Sequence, residues 1–383
     1  MRPCLPGTSV RAFVGAGWRG VEVIAASSSL ARHQPRGPMI KYIGSKRVLV
    51  PLISRVITGI RPDSTVVDLF SGTSRVGMGL KRAGHRVRSN DLNRYAATLA
   101  TCYIQADDER HAEAAEWVDR LNQLPGRPGY FTRTFCEEAR FFQPANGARV
   151  DAIRDAIEAA ELDPELRAIL LVSLMEAADR VDSTTGVQMA YLKKWAPRAH
   201  KPLQLRVPAL LQRAAAGKGS VTCEDARVAA QQLTGHIGYL DPPYNQHKYL
   251  GNYHIWETLV RWDAPEAYGK ARKRIDCRAR KSPFNSRPGI HDALRAVVRD
   301  LDVQTLVVSF SDEGYISREQ MVTLLSERGP VQVLSRDHKR YVGAQIGIYN
   351  PSGNKVGAVS HLSNREHLFV VGASQSLSSL GLD

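Results

Sequence analysis

Cysteine, uninterrupted apolar runs and acids are all scarce in this sequence of 383 residues. Its five cysteines, Cys4, Cys102, Cys136, Cys223 and Cys277, are odd in number, far apart and without a C-x-x-C pair. That excludes a disulfide framework and a cysteine-based zinc site, and reads as reduced thiols of a cytoplasmic protein. No apolar run approaches the ~18–20 residues of a membrane span. Even Ala168–Ala178 is interrupted by Ser173 and Glu176, so a membrane protein is not expected. Acids number 38 against 52 Lys and Arg, which gives a formal charge of +14 and a pI near 9.7. A surplus of this size points to a polyanionic partner, nucleic acid first. With 43% hydrophobic and 23% charged residues, the whole chain is neither disordered nor collagen-like. Its length suggests two or three structural units at roughly 100–200 residues each.

Residues 1–38 stand apart, with five Arg, no Lys, one acid and five Gly. No apolar run in them suits a secretory signal. They read as a disordered leader or as translation upstream of a start at Met39, where patterned sequence begins. From Thr65 the pattern is α/β. TVVDLF predicts a buried strand, SRVGMGLKRAG a helix ending at Gly84, RVRSND a second strand, and Arg94 to Ala106 a helix. Such alternation implies a parallel sheet. Between 107 and 205 it gives way to helices, including one over Asp151–Glu161 and one opened by Asp163-Pro164. Alternation resumes with strands at 236–240, 305–310, 331–334, 347–350 and 366–371 and a helix near Ser317–Glu327. The units expected are therefore 1–38 (leader), 39–106 (first part of the sheet), 107–205 (helical insertion), 206–372 (second part of the sheet) and 373–383 (flexible tail).

Two segments carry chemistry. The first strand ends in DLFSGTSRVG, with Asp68 followed by Gly72, Ser74 and Gly77 in a G-x-S-x-x-G arrangement. In a dinucleotide fingerprint the middle glycine lets the backbone approach a pyrophosphate. Serine there disfavours NAD(P) and FAD but suits a nucleoside without a diphosphate. Asp91, 19 residues past Gly72, stands where an acid accepts hydrogen bonds from ribose hydroxyls. The second segment is GYLDPPYNQHKY. Two prolines fix their φ angles and remove two N–H donors, which holds the Asp241 carboxylate and the Pro242 carbonyl rigid after a strand. That acceptor pair matches the two N–H donors of a base's exocyclic amine, with Pro243 stiffening the turn and Tyr244 offering a face to stack on the base.

With these residues in place, the sequence from 39 to 372 resembles the Dam-type adenine-specific DNA methyltransferases. KYIGSK (Lys41–Lys46) looks like the family's N-terminal cofactor motif, DLFSGT like its glycine loop and SND like its ribose-binding segment. CEDA, with Asp225, looks like its acidic segment, LDPPY like its catalytic motif and VVSFSDEG (307–314) like its next strand. Tyr42 stands where the family usually has tryptophan, and Ser74 where it has glycine. The resemblance implies a Rossmann-like α/β fold with helices on both faces of the sheet and an inserted, mainly helical target-recognition domain. It implies S-adenosylmethionine as cofactor, held by Tyr42, Lys46, Asp68, Phe70, Gly72, Asp91, Asp225 and Asp241. It implies methyl transfer to N6 of a flipped-out adenine, with Asp241, Pro242, Pro243 and Tyr244 as the catalytic segment.

The stretch from Arg261 to Ile290 holds nine basic residues against three acids. It reads as a loop that grips phosphates around the extruded base, through Arg272, Lys273, Arg274, Arg278, Arg280 and Lys281, with Lys41 a further DNA contact. Lys193 and Lys194 serve equally as phosphate contacts or as a solvated helix end. His247 and His254 read as polar lining of the site, and no metal is expected. The partners implied are double-stranded DNA and, if the enzyme belongs to a restriction–modification system rather than acting alone, a cognate restriction endonuclease. The expected location is the cytoplasm, with the nucleoid. Three alternatives stand: transfer to N4 of cytosine or to RNA adenine, a silent DNA-binding module of the same fold, and, more distantly, an NAD-linked oxidoreductase.

Overall fold

A computed structural model describes residues 40–44, 46–339, 348–349, 355–357, 363–373 and 377. The leader expected over 1–38 lies outside them, as does the tail over 373–383 apart from Ala373 and Leu377. Helix α1 (Val50–Ile60) accepts Pro51 in its first turn, where no N–H is needed, and buries Ile53, Val56 and Ile57. Strand β1 (Thr65–Asp68) leads into α2 (Arg75–Arg82), which stops before Gly84 at φ +96° with Lys81 and Arg82 in its last turn. Strand β2 (Arg86–Asn90) and α3 (Arg94–Ala100) follow, the helix running on as a π turn over Thr101–Gln105.

Helices α4 (His111–Asn122), α5 (Tyr130–Thr132), α6 (Pro144–Ala159) and α7 (Pro164–Arg180) occupy the stretch where the alternation lapses. The Asp163 side chain accepts the Glu165 and Leu166 N–H groups, as an Asp-Pro start requires. Helix α6 begins seven residues before the expected Asp151, because Pro144 supplies an earlier first turn. Helix α7 is buried along nearly its whole length and packs on α3 and α6. Strand β3 (Ser220–Thr222), α8 (Ala226–Gln232) and β4 (Ile237–Leu240) return the chain to the sheet.

After β4 come α9 (Tyr249–Asn252), α10 (His254–Arg261), the hairpin β5 (Ala267–Tyr268) and β6 (Lys273–Arg274), α11 (Asp276–Ala279) and α12 (Ile290–Asp300). The basic stretch read as a loop therefore contains a hairpin and a helical turn. Strand β7 (Thr305–Ser311) precedes α13 (Arg318–Ser326), which Ser317 and Gln320 start with reciprocal capping bonds. Strands β8 (Val331–Lys339), β9 (Ile348–Tyr349), β10 (Lys355–Gly357) and β11 (Ser363–Val371) complete the described elements.

The main sheet has the order β3-β2-β1-β4-β7-β11-β8. Its first five strands are parallel, and β11 inserts antiparallel between β7 and β8. The sheet is thus mixed at one side, where the sequence pattern implied a parallel one. A parallel return needs a crossover of a dozen or more residues, usually a helix, and no helix lies between β8 and β11 among the described residues. Side chains alternate between two cores: Val66 and Val307 pack with α1, α3, α7 and α10, and Val67 and Val308 pack with α8, α12 and α13. Helices cover both faces, the arrangement of a Rossmann-like fold. No helix among the described residues is long and apolar enough to cross a membrane.

Candidate active site

β1 is flanked by β2 on one side and β4 on the other. Chain order reverses at that point, and a crevice opens beyond the carboxyl ends of the strands. A cavity of about 260 Å³ fills it, and its walls include Tyr42, Lys46, Asp68, Phe70, Gly72, Asp91, Asp225 and Asp241. Residues spread over 200 positions, each expected at a cofactor, meet around one space. Pro243 joins them, and Pro242, between it and Asp241, is a buried residue.

The turn after β1 is shaped by positive φ angles, +50° at Gly72 and +61° at Ser74. Ser74 therefore occupies a conformation that favours glycine, and it forms the N-cap of α2. A Cβ on Gly77 would lie 2.8 Å from Ile104 Cδ1 and 3.4 Å from Asp68 Oδ2, so this glycine permits close helix–strand packing. Gly72 N–H donates to Asp91 Oδ2 at 3.0 Å, and Asn93 N–H donates to Oδ1 at 2.9 Å. Burial nevertheless pushes the Asp91 carboxyl up to about 6, against the pull of those bonds. Asp68 is 1% exposed, and neither carboxylate oxygen has a hydrogen-bond partner among the described residues. Burial first, then Asp241 and Asp91, push it up to about 8. A carboxylate held this way calls for a proton or for the cationic group of a ligand. Asp225 caps α8 by accepting the Arg227 N–H.

Asp241 follows β4, and Lys46, 7% exposed, lies beside it. The ammonium is 3.2 Å from Asp241 Oδ1 and 3.0 Å from Glu366 Oε2, a residue of β11. It also stands 5.7 Å from the centre of the Tyr244 ring. Burial alone would lower the lysine, but Asp241 and Glu366 outweigh it and hold it well above its ordinary value. Burial raises Asp241 to about 6, with Lys46 opposing and Glu366 adding to the rise. The Tyr244 ring packs on Phe310 at 5.3 Å. The Tyr42 ring is stacked between Tyr249 and Tyr253, with centroids 5.3 and 4.4 Å away, and its hydroxyl lies 3.3 Å from that of Tyr95. Glu366, Tyr249 and Tyr253 went unmarked in the sequence. The tyrosines' four-residue spacing was a signal for a shared face, whereas Glu366 left only an acid at the head of an apolar run.

Several residues expected on DNA are placed otherwise. Arg274 is 2% exposed and bonded to Asp263 and Asp276, so it cannot reach a phosphate. Its partners lie in the same stretch and turn its charge inward. Lys41 donates to Asp182 at 2.9 Å and to the Asp179 carbonyl, tying the N-terminal motif to the end of α7. Arg272 pairs with Glu138. Arg280 donates to the Leu92 carbonyl at 3.1 Å, lies 3.5 Å from Glu257 and lines the cavity mouth with Lys281. Arg278 is exposed and stacks on Tyr268, and Lys273 is half-buried on β6. His254 is a core residue rather than lining: it is wholly buried, its Nε2 lies 3.0 Å from the Gln188 carbonyl, and burial lowers it to about 3. His247 is exposed.

Known proteins resemble this chain over most of its length. Type II methyltransferase M.NlaIII of Neisseria lactamica is 30% identical over 335 residues, covering 84% of this chain and 98% of that protein. Type II methyltransferase M.CviAII of Paramecium bursaria Chlorella virus 1 is 29% identical, covering 87% of this chain and 98% of that protein. M.FokI of Planomicrobium okeanokoites is 30% identical across 76% of this chain, which spans about half of that longer protein. Residues 42–324, the span from the Tyr42 stack through both cavity-forming turns to α13, match the profile of one family. The chain belongs to the D12 class N6 adenine-specific DNA methyltransferases.

Proposed function

We propose that the chain transfers a methyl group from S-adenosylmethionine to the exocyclic N6 of an adenine extruded from double-stranded DNA. The observation that carries this reading is the meeting of Asp241 and Pro243, of the Asp-Pro-Pro-Tyr segment, with a cavity that holds a carboxylate unpartnered among the described residues, at the sheet's switch point. Bound in that cavity, the cofactor supplies an electrophilic methyl group on a sulfonium. The chemistry of the walls fits it. Asp68 lacks a cationic partner among the described residues, Asp91 is oriented by Gly72 and Asn93 to accept ribose hydroxyl bonds, and Phe70, edge-on to Phe284 at 5.1 Å, offers an apolar wall for a base. Asp241 and the Pro242 carbonyl accept the two N6–H groups. This favours a tetrahedral nitrogen and offsets the positive charge that grows on it.

Helices α4 to α7 and the turns from 182 to 199 are proposed as the target-recognition region, and the exposed Lys270, Lys281 and Arg287 as phosphate contacts. The relatives' Type II designation suggests a modification enzyme working beside a cognate endonuclease. Asp241→Asn separates binding from chemistry, because the amide keeps the shape and loses the charge. Methyl transfer should fall on the order of 10²–10³-fold, while calorimetry still detects cofactor binding. Near-normal turnover in that variant contradicts the role given to Asp241.

A further inference from the structure

We infer that Glu366 is a positioning residue for methyl transfer, sharing the Lys46 ammonium with Asp241 so that the three groups present a net negative charge to the target amine. This rests on the reading of Asp241 as the acceptor of that amine. Strand β11 lies one strand beyond β7, where Glu366 pairs with Ser311 on one side and Arg336 on the other. From there it receives the Lys46 hydrogen bond at 3.0 Å, while Asp241 Oδ1 lies 3.2 Å from the same nitrogen. A lysine paired with Asp241 alone would cancel the charge of the acceptor and occupy its oxygen. With Glu366 present the ammonium is divided between two carboxylates, and the sum of the three formal charges is −1. That negative charge is placed where the amine turns cationic as the N–C bond forms and the S–C electron pair leaves with sulfur as a neutral thioether, and the Asp241 carboxylate then accepts the proton the amine releases.

Among the described groups facing the triad, the tyrosines do not titrate between pH 5 and 9, whereas Asp68 does, above the acid limb. Tyr239 on β4, Tyr244 after it and Tyr249 on α9 are all raised by burial and stay neutral. Asp68 at the end of β1 is held up to about 8, chiefly by burial. Arg336 on β8 and His367, next to Glu366 on β11, are further charged or titratable neighbours among the described residues.

The test is the single-turnover rate of methyl transfer to DNA across pH 5 to 9. Glu366→Gln should slow transfer on the order of tenfold, less than the loss of a direct contact, with the cofactor Kd unchanged within about twofold. The acid limb of its profile should move to lower pH, since Glu366 raises Asp241. Glu366→Asp keeps the charge and should return the limb toward that of the wild type. Lys46→Met, which serves if Glu366→Gln fails to fold, should move the limb the opposite way, to higher pH. An unshifted limb in the variant that folds overturns the inference, as does a loss confined to cofactor affinity. A wild-type chain that methylates no adenine contradicts the underlying reading instead.

Discussion

At Asp68 the chain buries a carboxylate with no hydrogen-bond partner among the described residues, a state that is costly unless the group holds a proton or meets a cation. Its carboxyl is raised to about 8 in the fold, against an ordinary value of 3.8. Between those pH values the native state keeps a proton that the unfolded chain has released. This group's contribution to stability is therefore fully present below pH 4 and is lost as pH rises to 8. Asp68→Asn should accordingly raise the melting temperature of the ligand-free protein at pH 8.5 by at least about 2–4 °C, the shift of about 1 kcal/mol in a sizeable domain. At pH 4 the variant and wild type should melt alike. The same substitution should weaken cofactor binding, and equal affinity in titration calorimetry would falsify the role given to this carboxylate. Asp68, Gly72 and Asp91 were legible in the sequence because one turn and one strand end hold them, so short spacing carries the information. Arg274 was misread for a related reason. Its partners Asp263 and Asp276 stood within the same 30 residues, but a count of charges does not say which of them turn inward.

Helix α10 shows how one element fixes another. Its last turn ends in the core, where Arg154 of α6 donates to the Leu259 carbonyl at 2.9 Å and the Val260 carbonyl at 3.2 Å, with its guanidinium 5.2 Å from the centre of the Trp262 ring. Arg154 thus supplies partners to carbonyls that a helix end leaves open. On the same helix, Glu257 accepts the Tyr95 N–H near the start of α3 and faces Arg280 at the cavity mouth. Arg154→Leu strands two buried acceptors at about 1–3 kcal/mol each. Urea unfolding should show a loss of about 2–6 kcal/mol, with weaker cofactor binding as the mouth loosens. A change below about 0.5 kcal/mol, the size of an ordinary surface substitution, contradicts this account of α10. Elements with a strong local pattern, such as α7 and β7, were visible in the sequence. The direction of β11 was not, because strand direction is set by which neighbours a strand finds. Glu366 reaches the site only through that choice, 125 positions after Asp241 in the chain.

Across the whole molecule the basic surplus is more structured than a net charge of +14 suggests. Within the stretch 261–290, Arg261, Arg272, Arg274 and Arg280 are engaged by acids. The cations available to DNA are fewer than the nine counted in the sequence, and Lys270, Lys281 and Arg287 are exposed among them. Replacing these three by glutamine should reduce the slope of log K against log salt by as much as about 2.7, near 0.9 per phosphate contact. Arg274→Gln should leave the slope alone and lower stability instead. A steep loss of slope in the Arg274 variant, with the triple variant unchanged, would reverse the assignment of the two groups. Adenine methylation by this chain is measured by incubation with methyl-labelled S-adenosylmethionine and unmethylated genomic DNA, followed by digestion to nucleosides. Label should appear in N6-methyladenosine of the deoxy series with wild type and not with Asp241→Ala. Label in N4-methylcytosine, or transfer to RNA but not to DNA, would contradict it.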